Sequence, residues 1–169
     1  LVYDPETDMD SVTFDPDCPS RKLDMLNALI EKHHAQDKVL VFTSSQRFAN
    51  AVAHRVCAKT ALYTGAQSTK ARSEAFAGFT EGDVQVLLCT VGAAAEGLDG
   101  LQRVCHVEVW LDEDLNGMLC EQAKGRLNRM GQSAERIIRY YFQARDTMDD
   151  GTFQRLAQQA ESNRSVLNK

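Results

Sequence analysis

The 169-residue sequence lacks any run of about 18 apolar residues, the length a membrane span requires, and no signal-peptide pattern opens it. It also lacks paired cysteines. Cys18, Cys57, Cys89, Cys105 and Cys120 are odd in number, widely spaced and without a C-x-x-C pair, which excludes a disulfide framework and points to reduced thiols in a cytoplasmic, intracellular setting. His33, His34, His54 and His106 have no ligand spacing, so no structural metal is expected. No glycine is followed by lysine, and the Gly-x-x-x-x-Gly-Lys-[Ser/Thr] loop that cradles phosphates is therefore missing. Proline is confined to Pro5, Pro16 and Pro19.

What is present suits one domain. A chain of this length buries roughly 70% of its unfolded surface without disulfides or metal, and its 43% apolar and 25% charged shares are ordinary. The net charge of -5 is unevenly spread. Residues 1–20 hold six acids and no base, and with their prolines residues 1–19 read as an acidic linker or arm. The remaining 18 acids face all 19 bases, so the rest of the chain is nearly neutral. Between Lys124 and Arg145, however, six bases (Lys124, Arg126, Arg129, Arg136, Arg139, Arg145) meet only Glu135, a local basic surface suited to phosphate. The first residue is Leu1 and not methionine, as expected of a piece cut from a longer polypeptide.

From residue 20 onward, short apolar runs alternate with helical periodicity. Leu23, Leu26, Leu29 and Ile30 mark a helix entered at Ser20. Lys38 to Thr43 reads as a buried strand whose Ser44-Ser45 end caps a second helix over Phe48, Val52 and Val56. Further strands are expected at 61–63, 84–89, 105–111 and 137–142, with a helix carrying Ala71, Ala75, Phe76 and Phe79 after the first of these, another helix before the last, and a final helix from about Asp149. Five strands alternating with helices predict a three-layer α/β/α domain around a mainly parallel sheet.

One stretch organises the chain. Leu115, Leu119, Ala123, Leu127 and Met130 recur at helical spacing, predicting an amphipathic helix that stops near Gly131. On it, Gln122, Arg126 and Arg129 fall within about 60° of one another, against the edge of the apolar stripe. Ordinary surface arginines sit opposite the core. These read as cations held for an anion or a partner, or as long stems lying over apolar neighbours.

Gln122-Ala123, Arg126, Arg129 and Gly131-Gln132 fill all six fixed places of an eleven-residue pattern that resembles the sixth motif of Swi/Snf-type ATPases in helicase superfamily 2. In that family the two arginines reach across a cleft to ATP phosphates bound on another lobe. Thr90 to Asp99, after a strand ending Leu-Leu-Cys-Thr, resembles the fifth motif. Val39 to Ser44 resembles the fourth, and Tyr63 to Phe79, with Gly65 and Arg72, resembles the segment between them. The order agrees over residues 20–169. The resemblance implies a RecA-like C-terminal lobe. It places Gln122, Arg126 and Arg129 in catalysis, Gly97 and Asp99 near the nucleotide, and Thr43, Ser44, Gly65 and Thr90 on the nucleic-acid backbone. It further implies an N-terminal lobe as partner, binding most of the ATP and Mg2+, and double-stranded DNA as the track, with the lobe alone inactive as an ATP hydrolase.

Val107 to Glu113 imitates a strand ending in a magnesium-binding Asp-Glu pair. Without a phosphate loop, Asp112 and Glu113 are better read as solvated acids or as caps of the next helix. Two other functions stay in view. One is a nucleic-acid-binding or regulatory module that has lost the motor, which has no need of both arginines at that spacing. The other is an unrelated small-molecule enzyme, which needs a His/Cys/Asp cluster that is not found.

Overall fold

A computed structural model describes residues 19–33 and 37–167; the acidic stretch before Pro19, and with it the expected arm, lies outside these residues. Three helices start on serine caps. The hydroxyls of Ser20, Ser45 and Ser68 accept from the Leu23, Phe48 and Ala71 amides and open α1 (Arg21–Lys32), α2 (Gln46–Ala53) and α3 (Thr69–Thr80). Each such cap contributes about 0.5–2 kcal/mol. The strands are β1 (Lys38–Thr43), β2 (Thr60–Tyr63), β3 (Val86–Thr90), β4 (Cys105–Trp110) and β5 (Ile138–Tyr141). They form one sheet in the order β2-β3-β1-β4-β5, parallel at every pairing.

Strand alternation divides the core in two. Val39, Val41, Val86, Leu88, Val107 and Val109 face α1 and α2. Leu40, Phe42, Leu87, Cys89 and Trp110 face α3, α4 (Val91–Gly97) and α5 (Gly117–Lys124). Handedness accounts for the split. The connection from β1 runs to the far edge strand β2, whereas the later connections run the opposite way, and right-handed crossovers then place their helices on the other face. The helix after β1 therefore leaves on the opposite side from those after β3 and β4. That divergence opens a crevice at the carboxyl ends of the central strands, where α/β sheets bind ligands.

The five strands and the RecA-like layering agree with expectation. The organising helix does not. It ends at Lys124, and Gly125 to Gly131 run on as turns. Leu115 and Met130, the two ends of the supposed apolar stripe, are exposed, Met130 almost fully. Only the middle of that stripe, Ala123 and Leu127, is fully buried. The chain turns because bonds from outside the helix take hold of it. Arg126 reaches main-chain carbonyls of α4, and the Gln132 amide donates to the Cys105 and Leu127 carbonyls at 3.2 and 3.1 Å. A short helix α4 also appears where the sequence carries no periodicity, followed by a 3-10 turn at Leu101–Arg103. A long helix α6 (Met148–Leu167) closes the described chain, and Lys22 of α1 pairs with its Asp149 at 2.6 Å.

Candidate functional site

Three strand ends meet in the central crevice. Thr43 of β1 lies in register with Thr90 of β3, and Asp112 follows β4. The Thr43 hydroxyl donates to Asp112 Oδ2 at 2.7 Å, and the Ser44 amide donates to Asp112 Oδ1 at 2.5 Å. Thr43 Oγ1 also accepts from the Ser45 amide at 3.2 Å, the residue that caps α2. Asp112 is therefore neither a solvated acid nor a cap of α5, which Asn116 caps instead. It fastens β1 to β4 at the point where their helices part. Glu113 pairs with Lys124 at 3.2 Å. Both acids of the Asp-Glu pair are thus spent on protein donors and do not fit a magnesium site. Among the described residues no group of three or more His, Cys, Asp or Glu could hold a metal ion.

Thr43, Ser44 and Thr90 come together as expected of a single patch. Gly65 follows the edge strand β2, which pairs with β3 and not with β1; Tyr63 stands in register with Cys89, the residue before Thr90, so Gly65 comes after the β2 end on the Thr90 side of the crevice. Thr43 is fully buried, which leaves Ser44 as the accessible member of the β1 end.

Thr90 is the N-cap residue of α4, and the second patch lies at the other end of the same helix, about 10 Å away at 1.5 Å per residue. Here Arg126 donates through Nη1 to the Leu98 carbonyl at 3.5 Å and through Nη2 to the Ala95 carbonyl. Its Nε is buried without a partner. Burial and the adjacent Arg129 guanidinium pull Arg126 below the ordinary arginine range, while Asp99 and Tyr63 push back. Arginine stays charged under either influence. Arg129 is more open. It donates to Asp99 Oδ1 at 2.9 Å and through Nε to the Gly125 carbonyl at 3.1 Å, with 39% of its side chain exposed. The two guanidinium groups are therefore unequal, one clamped to α4 and the other at the surface. Gln122 is exposed on the last turn of α5.

Two glycines shape this end. A Cβ on Gly97 would lie 3.0 Å from the Tyr63 hydroxyl, a contact tight enough that the tyrosine would have to give way. Gly100 adopts φ 97°, a left-handed conformation that ordinary residues avoid, and turns the chain after Asp99.

Half of the expected basic surface is taken up by the protein itself: Lys124, Arg126 and Arg139 are part-buried, while Arg129, Arg136 and Arg145 are exposed. Lys124 lies 5.3 Å from the Trp110 ring and 5.5 Å from that of Tyr141, and it pairs with Glu113 and Glu121. Burial works against its charge, but Tyr141 and the two carboxylates raise its pKa overall. Arg139 pairs with Glu108, which is fully buried in β4. Arg136 and Arg145 are exposed. Charge counting in the sequence locates these bases but cannot say that acids brought in by the fold take them up. The buried thiols offer no nucleophile. Burial pushes Cys89 well up, Cys105 up to about 12 and Cys120 up to about 11, leaving thiols and not thiolates near neutral pH.

Comparison with known proteins agrees with this geometry. Residues 21–131 match the family described as the helicase conserved C-terminal domain, a span running from α1 through the arginine turn. Among solved structures, the C-terminal part of the Fun30 ATPase domain is similar at 19% identity over 81% of this chain, with a TM-score of 0.71. The Pyrococcus furiosus Hef helicase domain is similar at 22% identity over 80% of the chain, with a TM-score of 0.60. At such identities the likeness is one of fold. This chain covers 45% of the first of those chains and 28% of the second, less than half of either. No curated protein matches it.

Proposed function

Because this chain belongs to the helicase conserved C-terminal domain family, we propose that it is the second lobe of an ATP-dependent, Swi/Snf-type translocase on double-stranded DNA. The observation that carries the proposal is the arginine turn. Arg129 stands at the surface beside the end of α4, in a chain that has no phosphate loop of its own. ATP and its Mg2+ are bound chiefly by a partner N-terminal lobe, either in the same polypeptide or as a separate subunit. Closure of the cleft brings Arg129 to the γ-phosphate, where it stabilises the charge that develops during transfer.

Asp99 holds Arg129 in the open lobe. The triphosphate competes for that guanidinium, and Asp99 is then free to approach the ribose beside Gly97. Arg126 reaches the phosphates by exchanging its carbonyl partners for them; until then it keeps the turn seated on α4. Gln122 orients the contact between lobes. A planar fork matches phosphate oxygens as a lysine ammonium does not.

At the other end of α4, Ser44 and Thr90, supported by Thr43, grip the DNA backbone, and Gly65 offers a second contact at the sheet edge. Backbone contacts carry little sequence information, so binding is sequence-independent and weakens with salt. A single short helix joins the two patches, which suits a lobe that converts cleft closure into a step along the strand.

The test is ATP turnover with and without an N-terminal lobe that carries a phosphate loop. The chain alone is expected to hydrolyse ATP negligibly, and the joined lobes are expected to show DNA-stimulated turnover. Robust turnover by the chain alone, abolished by a substitution within it, would contradict the proposal.

A further inference from the structure

Glu108 is a carboxylate with no exposure at all, in the middle of β4 on the face that α5 covers. One of its oxygens accepts from Trp110 Nε1 at 3.1 Å and from Arg139 Nε of β5, while the other is buried without a partner. Stability is a weak reason for such a pair. Desolvating the Glu108 carboxylate fully and the Arg139 guanidinium in part is costly, and well-packed apolar residues in place of a buried pair often serve as well or better.

The pair does one thing that apolar residues cannot. Arg139 Nη2 donates to the Lys124 carbonyl at 3.3 Å. Lys124 is the last residue of α5, and carbonyls at a helix end lack intrahelical partners. Its neighbours are provided for, since the Glu121 and Ala123 carbonyls accept from the Gly125 and Arg126 amides. No backbone amide among the described residues reaches the Lys124 carbonyl, so Arg139 takes it. Two residues later comes Arg126, and the Gly125 carbonyl between them accepts from Arg129 Nε.

We propose that Glu108 and Arg139 are positioning residues for the arginine turn. The buried carboxylate holds the Arg139 guanidinium flat against the end of α5, and that guanidinium fixes the peptide from which Arg126 and Arg129 depart. The side chain of Lys124, lodged over Trp110 and Tyr141, pins the same residue from its other end. The value of this brace for catalysis rests on the function proposed above. Its existence does not, and the experiment below measures the turn without any appeal to ATP.

Amide hydrogen exchange is followed by NMR in the intact chain. The reporters are the hydrogen-bonded turn amides of Arg126, Arg129 and Gln132, and central-strand amides such as Val41 and Leu88 report global opening. Glu108→Leu combined with Arg139→Met replaces the pair by apolar groups. The turn amides are expected to exchange about tenfold faster while the strand amides and the unfolding midpoint hold or improve. Arg139→Lys keeps the charge beside Glu108 and removes the fork that reaches Lys124, so it should loosen the turn in the same way. It decides the question alone if the double variant does not fold. Unchanged exchange at the turn in a folded variant, or acceleration there only in step with the central strands, would overturn the proposal. A loosened turn in a lobe that never supports ATP turnover would leave the brace standing and remove its catalytic meaning.

Discussion

Asp112 sits at the end of β4 with both carboxylate oxygens taken, one by the buried Thr43 hydroxyl and the other by the Ser44 amide. Asp112→Ala strands the buried Thr43 hydroxyl, while the exposed Ser44 amide can turn to water, and a buried donor without a partner costs about 1–3 kcal/mol. Urea unfolding should show a loss in that range, and a midpoint equal to that of the unchanged chain would contradict the assignment. The same residue marks a limit of sequence reading. An aspartate after an apolar strand is visible in the sequence, but its partners lie 69 and 68 positions away, and nothing local singles them out. Lys124 and Arg139 repeat the lesson with opposite sign. Counted along the chain they belong to a basic surface, yet the fold brings Glu113 and Glu108 to them and removes them from it. The bases that stay at the surface there include Arg129, Arg136 and Arg145.

Among the elements, beginnings were legible and ends were not. Ser20 and Ser45 cap their helices through a bond to the amide three residues on, a purely local arrangement that the sequence displays. The end of α5 is set by tertiary bonds from Arg126, Gln132 and Arg139, and the periodic apolar pattern runs past it regardless. Helix α4 shows the opposite case. Three alanines between Gly92 and Gly97 favour a helix by propensity but show no apolar period, and packing fixes the helix: Ala93, Ala94 and Ala95 are buried and a Cβ on Gly97 would meet the Tyr63 hydroxyl. If that contact is why glycine stands there, Gly97→Ala should lower stability by about 1–3 kcal/mol through overpacking. Tyr63→Phe, which removes the hydroxyl, should restore most of the loss in the same chain. A penalty that persists in the double variant would show that Gly97 is required for some other reason.

For the molecule as a whole, an all-parallel five-stranded sheet with helices on both faces places two polar patches at opposite ends of one short helix. The crevice patch holds hydroxyls, an amide and a carboxylate that the protein itself uses. The other patch holds guanidinium groups with no phosphate cradle beside them. Under the proposed function, such a lobe works on a triphosphate held by another body of protein. The most direct measurement is ATP turnover by the joined two-lobe enzyme carrying Arg129→Ala, with DNA affinity measured on the same sample. Donated arginines are worth about 10³–10⁵ in kcat, roughly 4–7 kcal/mol of barrier. Turnover should therefore fall by orders of magnitude while DNA affinity stays within a few fold; near-normal turnover would contradict the account.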